Sequence, residues 1–134
     1  MKIEDVEGIG PAYAGQLAAA GVATTNALLD RAGSDAGRSR LAADTGISER
    51  LLLEWVNHAD LMRLDGVGSE YADLLEAAGV DSCAELARRS AANLAQTFQE
   101  LDAARPNTVR QVPSETTIQG WIAQAAKLAK VVSH

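Results

Sequence analysis

Residues 5–17 read DVEGIGPAYAGQL, and residues 64–80 read LDGVGSEYADLLEAAGV. Each stretch sets two glycines around one branched apolar residue and then places a Tyr–Ala pair a few positions on. In the first these are Gly8, Ile9 and Gly10 ahead of Tyr13 and Ala14. In the second they are Gly66, Val67 and Gly68 ahead of Tyr71 and Ala72. With Gly66 laid on Gly8, a shift of 58 residues, Leu17, Ala20, Gly21, Val22, Leu28 and Arg31 fall on Leu75, Ala78, Gly79, Val80, Leu86 and Arg89. Further on the shift becomes 66, where Ser48, Leu52, Trp55, Val56, Ala59 and Met62 meet Ser114, Ile118, Trp121, Ile122, Ala125 and Leu128. The eight-residue difference places an insertion around ARPNTVRQVP, residues 104–113, whose two prolines break a helical pattern. The chain reads as an internal duplication, residues 1–63 and 64–134.

Within one copy, the period of the apolar residues is helical throughout. Residues 52, 55, 56, 59 and 62, and again 118, 121, 122, 125 and 128, recur at helical spacing. No stretch alternates long enough to make a strand. Pro11 suits a first helical position, and Gly21 and Gly79 stand where a helix must end in a left-handed residue. Thr24, Ser34, Ser48, Ser82, Ser90 and Ser114 are expected N-caps, with Glu85 completing a capping box on Ser82. The expected fold is all-α, about five helices per copy. A helix from about Ser48 to Leu64 should run into the second hairpin and join the two copies as one rigid unit.

Composition narrows the class further. The chain has 134 residues, 47% hydrophobic but only 4% aromatic, so its helices should pack closely on small side chains. No run approaches the roughly 18 apolar residues of a membrane span, and the N-terminus lacks a signal-peptide core, so a cytoplasmic protein is expected. Cys83 is the sole cysteine, which excludes an intramolecular disulfide and a cysteine metal cluster. The net charge is −6. Each copy carries six basic and nine acidic side chains, so neither serves as a basic arm.

A Gly–apolar–Gly turn reverses the chain within about three residues. It also leaves N–H groups of the next helix unpaired at the positive end of the helix dipole, which can hold a phosphate. GIGPAYA and GVGSEYA resemble the hairpin and second-helix start of the helix–hairpin–helix motif. The pair of copies looks like a tandem helix–hairpin–helix domain, a SAM-like helical bundle. With TGISERLLLEWVNHADLMRLDGVGSEYADLLEAAGV and PSETTIQGWIAQAAKL, nearly the whole chain resembles the uncharacterised bacterial and archaeal domain-of-unknown-function family 4332. The helix–hairpin–helix resemblance implies phosphate contact by Gly8, Ile9, Gly10, Gly66, Val67 and Gly68 together with a nearby cation. It also implies a monovalent cation on the hairpin carbonyls.

This chain departs from that pattern at the basic partner. The first hairpin is followed by Pro11, Ala12 and Tyr13, and the second by Ser69 and Glu70, with Asp65, Asp73 and Glu76 near. Nucleic-acid affinity comes chiefly from neutralised phosphates. A carboxylate about 4 Å from a phosphate costs on the order of 1 kcal/mol even in water. Arg31, Arg38, Arg40, Arg88 and Arg89, with Arg105 and Arg110 in the inserted loop, read first as helix caps or solvated charges and second as a candidate basic rim.

Asn57, His58 and Asp60 do not converge on one helix face, and their counterparts Ala123, Gln124 and Ala126 repeat no chemistry, so no catalytic constellation emerges. His58 reads as a boundary residue bonded locally, and Asp60 as an acceptor for hairpin or linker N–H groups. The sequence therefore points to a non-enzymatic module without a cofactor or metal, binding an unidentified protein partner. The alternative is weak, sequence-nonspecific DNA or RNA binding through the hairpin N–H groups. The oligomeric state is left open.

Overall fold

The computed structural model describes residues 1–106 and 109–134. Among them are eight α-helices and no strand: α1 (Pro11–Ala19), α2 (Thr25–Ala32), α3 (Asp35–Thr45), α4 (Glu49–Leu61), α5 (Ser69–Ala77), α6 (Cys83–Leu86), α7 (Ala91–Ala104) and α8 (Glu115–Lys127). A 3-10 turn at Ile3–Asp5 precedes them, tied to the chain ahead of α2 by an isolated antiparallel bridge between Lys2 and Thr24. Where about five helices per half were expected, four α-helices form.

Local chemistry starts and stops these helices. The hydroxyls of Thr24, Ser34 and Ser48 accept from the N–H groups of Ala27, Gly37 and Leu51 at 3.0–3.2 Å. Those of Ser82, Ser90 and Ser114 accept from Glu85, Asn93 and Thr117 at 3.1–3.3 Å. All six expected caps are made. Gly21 and Gly79 end α1 and α5 at φ +86° and +88°, and the next residues, Val22 and Val80, bond back to Leu17 and Leu75 carbonyls at 2.8 and 2.9 Å. Helix α4 stops at Leu61, three residues before the expected end, and a turn closed by Leu64 N–H on Leu61 C=O, 3.2 Å, leads to the second hairpin.

The chain divides into two compact units, Met1–Asp60 with Lys130–His134, and Leu61–Ala129. In the first, Ile3, Leu17, Leu28, Leu41 and Leu52 are fully buried around Trp55. In the second, Leu75, Leu86, Phe98 and Ile118 take that part around Trp121. The last five residues thus belong with the first unit, whereas the sequence boundary counts them with the second copy. Their hydrogen bonds, described below, run to Gly33, Asp35, Arg38 and Asn57.

Candidate functional site

The two glycine turns have the same backbone. Gly8 and Gly66 take φ of +89° and +85°, a region that costs any other residue strain. Ile9 N–H closes on Val6 C=O and Val67 N–H on Leu64 C=O, both at 3.1 Å. Ile9 and Val67 are buried at 4% and 2% exposure, plugging the gap beneath each turn. Gly10 and Gly68 are the N-caps of α1 and α5, extended and without a side-chain cap, and their carbonyls accept from Ala14 and Ala72 at 2.9 Å.

The two glycines of each turn differ in their surroundings. A Cβ at Gly8 would stand 3.4 Å from Trp55 Nε1, and one at Gly66 would stand 3.7 Å from Trp121 Nε1. Each indole also meets the tyrosine just past the turn. The Tyr13 and Trp55 ring centroids are 5.0 Å apart at 62°, and those of Tyr71 and Trp121 are 5.3 Å apart at 54°. Around Gly10 and Gly68, by contrast, a Cβ would meet nothing within 4 Å. The first glycine of each turn is required by its positive φ, with the indole in contact range, and the second faces open space.

The flanking groups set the charge. No basic side chain follows either turn within its first helical turn. At the second, the Glu70 carboxylate accepts from the backbone N–H of Arg110, and the Tyr71 hydroxyl donates to Gln111 C=O at 2.8 Å. The loop after α7 is thereby bonded to the first turn of α5. Gln124 braces the same turn, its Oε1 accepting from Asp65 N–H at 2.7 Å and its Nε2 donating to Asp65 Oδ2 at 3.2 Å. As for a monovalent cation on the hairpin carbonyls, Val6 and Leu64 C=O already accept from Ile9 and Val67.

The arginines named as a candidate rim lie in different settings. Arg31 donates to Ala20 C=O at 2.8 Å, with Asp44 at 3.6 Å, and Arg89 donates to Gly79 C=O at 2.9 Å and to Glu85 at 3.1 Å. Both cap the helix that follows their hairpin. Arg38 is buried, 3% exposed, and donates to the carbonyls of Ala32, Gly33 and Ser133. Arg40 and Arg88 are exposed. Of the rim candidates, Arg40 and Arg88, with Arg105 and Arg110 of the inserted loop, therefore face solvent.

His58 and Asp60 are buried at 3% and 2% exposure. Asn57 Oδ1 lies 2.8 Å from His134 Nε2. The sequence reading missed a cavity of about 690 Å³ in the second unit, walled by Leu74, Ala77, Leu101 and Val109 and edged by Asp73, Asp102 and Arg105. The insertion was its only signal, since Arg105 and Val109 belong to that loop. Among the described residues, no helix is long and apolar enough to cross a membrane.

Against known families, the chain matches the model of a domain of unknown function, DUF4332, over residues 7–128. The chain belongs to this family. The match begins one residue before the first hairpin and covers both glycine turns and all eight α-helices of the DUF4332 chain. Neither the curated proteins nor the solved structures gave a match.

Proposed function

We propose that this DUF4332 chain is a non-enzymatic interaction module, two helix–hairpin–helix repeats that bind a protein partner through their hairpins, in the cytoplasm and without a cofactor. The observation that carries this reading is the open space at Gly10 and Gly68. A residue without a side chain, bordered by helix-start N–H groups, is a surface that a partner's backbone can approach closely. Charge sets the class of partner. The chain is −6 overall, Glu70 stands at the second turn, and Arg31, Arg38 and Arg89 donate to carbonyls of the chain itself. No lysine or arginine stands in the first helical turn after either hairpin, and Arg110, whose N–H bonds Glu70 at the second, has that carboxylate beside it, so the counterion release that drives nucleic-acid binding is small.

The second reading is weak nucleic-acid binding, favoured by the exposed Arg40 and Arg88. The two readings separate in one experiment. Tagged wild-type chain and a Gly10→Asn, Gly68→Asn variant are used to capture partners from extract, with and without nuclease. Asparagine is a good N-cap and fits the open space, so the variant should fold as wild type does. The expected result is a nuclease-resistant protein partner held by wild type and lost by the variant. Capture abolished by nuclease would establish the nucleic-acid reading instead.

A further inference from the structure

We infer that the corner between α2 and α3 is a recognition site for an extended peptide, a β-branched aliphatic residue followed by serine or threonine, and that residues Val131–Ser133 occupy it as a resident ligand. The inference goes beyond the hairpin reading and does not depend on what the hairpins bind.

Two groups bond the main chain of the tail at Ser133, and a third bonds the serine side chain. Ser133 N–H donates to Gly33 C=O at 2.9 Å, and Arg38 Nη2 donates to Ser133 C=O. Asp35 N–H, at the start of α3, donates to Ser133 Oγ at 3.2 Å. A Cβ at Gly33 would overlap the carbonyl oxygens of Val131 and Leu29, so the tail crosses this glycine at backbone contact. Side-chain selection falls to the neighbouring residues: Val132 is 3% exposed while Val131, before it, is 38% exposed. Main-chain bonds for affinity with a pocket for alternate side chains is the division of labour by which domains bind extended peptides.

The corner carries features that the corresponding corner of the second unit lacks. Before the cap Ser34 stands Gly33; before the cap Ser90 stands Arg89. Four residues past Ser34 stands the buried Arg38; four past Ser90 stands the buried Leu94. A leucine is what that core position accommodates by packing alone. The arginine brings a buried charge, which requires acceptors, and Nη1 finds two in Ala32 and Gly33 C=O at 3.1 and 2.8 Å. The acceptor for Nη2, besides Asp35 Oδ1 at a longer 3.8 Å, is the peptide carbonyl. An empty corner would leave that donor short of a partner, so the site favours occupation.

A tethered occupant competes at an effective concentration on the order of millimolar. A labelled peptide of residues 129–134, AKVVSH, is therefore titrated by fluorescence anisotropy against the full chain and against full chain carrying Val132→Asp, which expels the resident tail. The variant should bind the peptide at least about tenfold more tightly than wild type. Adding Arg38→Leu to the variant should weaken binding about tenfold or more, and a peptide with proline at the serine position should not bind. Equal binding by wild type and variant, no saturable binding by the folded variant, or indifference to Arg38→Leu would overturn the assignment. If Val132→Asp does not fold by circular dichroism, Ser133→Pro, which removes the bonds to Gly33 C=O and from Asp35 N–H and leaves Val132 in place, replaces it in the same comparison.

Discussion

Trp55 and Trp121 each join a turn to a helix that lies far along the chain. Each is buried, at 3% and 5% exposure, with its Nε1 toward the positive-φ glycine of its unit and its ring inclined against a tyrosine. Truncation to alanine removes the packing and the aromatic pair together. Trp55→Ala and Trp121→Ala are each expected to lower stability by about 3–5 kcal/mol, read by urea denaturation. Midpoints equal to wild type would mean that the rings carry no packing. The glycines divide the same way. Gly8→Ala puts a Cβ into a left-handed backbone against the indole and should cost about 1–3 kcal/mol, whereas Gly10→Asn should cost next to nothing. That Trp55 and Gly8 both recur in the second half was legible, but nothing in the sequence set the one against the other. The burial of Arg38 was not legible: its partner Ser133 is 95 residues away, and nothing in a local window marks an arginine as interior.

At the scale of elements, the helix boundaries were the most readable part, because caps are local. A serine or threonine followed three residues on by the N–H it accepts needs no knowledge of the rest of the chain. The end of α4 was less readable. Met62, Arg63 and Leu64 continue a helical pattern, yet the next turn must begin there to set Val67 under the hairpin, and tertiary packing overrode propensity. Arg31 and Arg89 show how one element fixes another. Their guanidinium groups, on α2 and just beyond α6, satisfy carbonyls at the ends of α1 and α5. Replacing either with methionine keeps the alkyl stem and removes the donor. The expected loss is about 0.5–1.5 kcal/mol at the midpoint of chemical denaturation, modest because both side chains are partly solvated. No change in the midpoint would reduce these bonds to surface decoration.

For the whole molecule, the deciding quantity is where charge sits relative to the hairpins. A chain of net charge −6 repels a phosphate backbone at long range, but at physiological salt that repulsion is screened beyond about 8 Å. Short-range cations then determine binding. Wild type should bind a short DNA duplex no better than roughly 10⁻⁴ M, the weak end of nonspecific association. Ala12→Lys with Glu70→Lys brings the net charge from −6 to −3 and sets a cation beside each turn. Glu54→Lys with Ala103→Lys makes the same change in charge at exposed positions on α4 and α7, outside the hairpins and the helix starts that follow them. If the turns lack only a cation, the first pair should gain affinity that added salt removes, and the second should remain as weak as wild type. Equal gains would make the effect one of bulk charge, with no part for the hairpin N–H groups. Micromolar, salt-sensitive binding by the unmodified chain would give the exposed arginines the role assigned here to a protein partner.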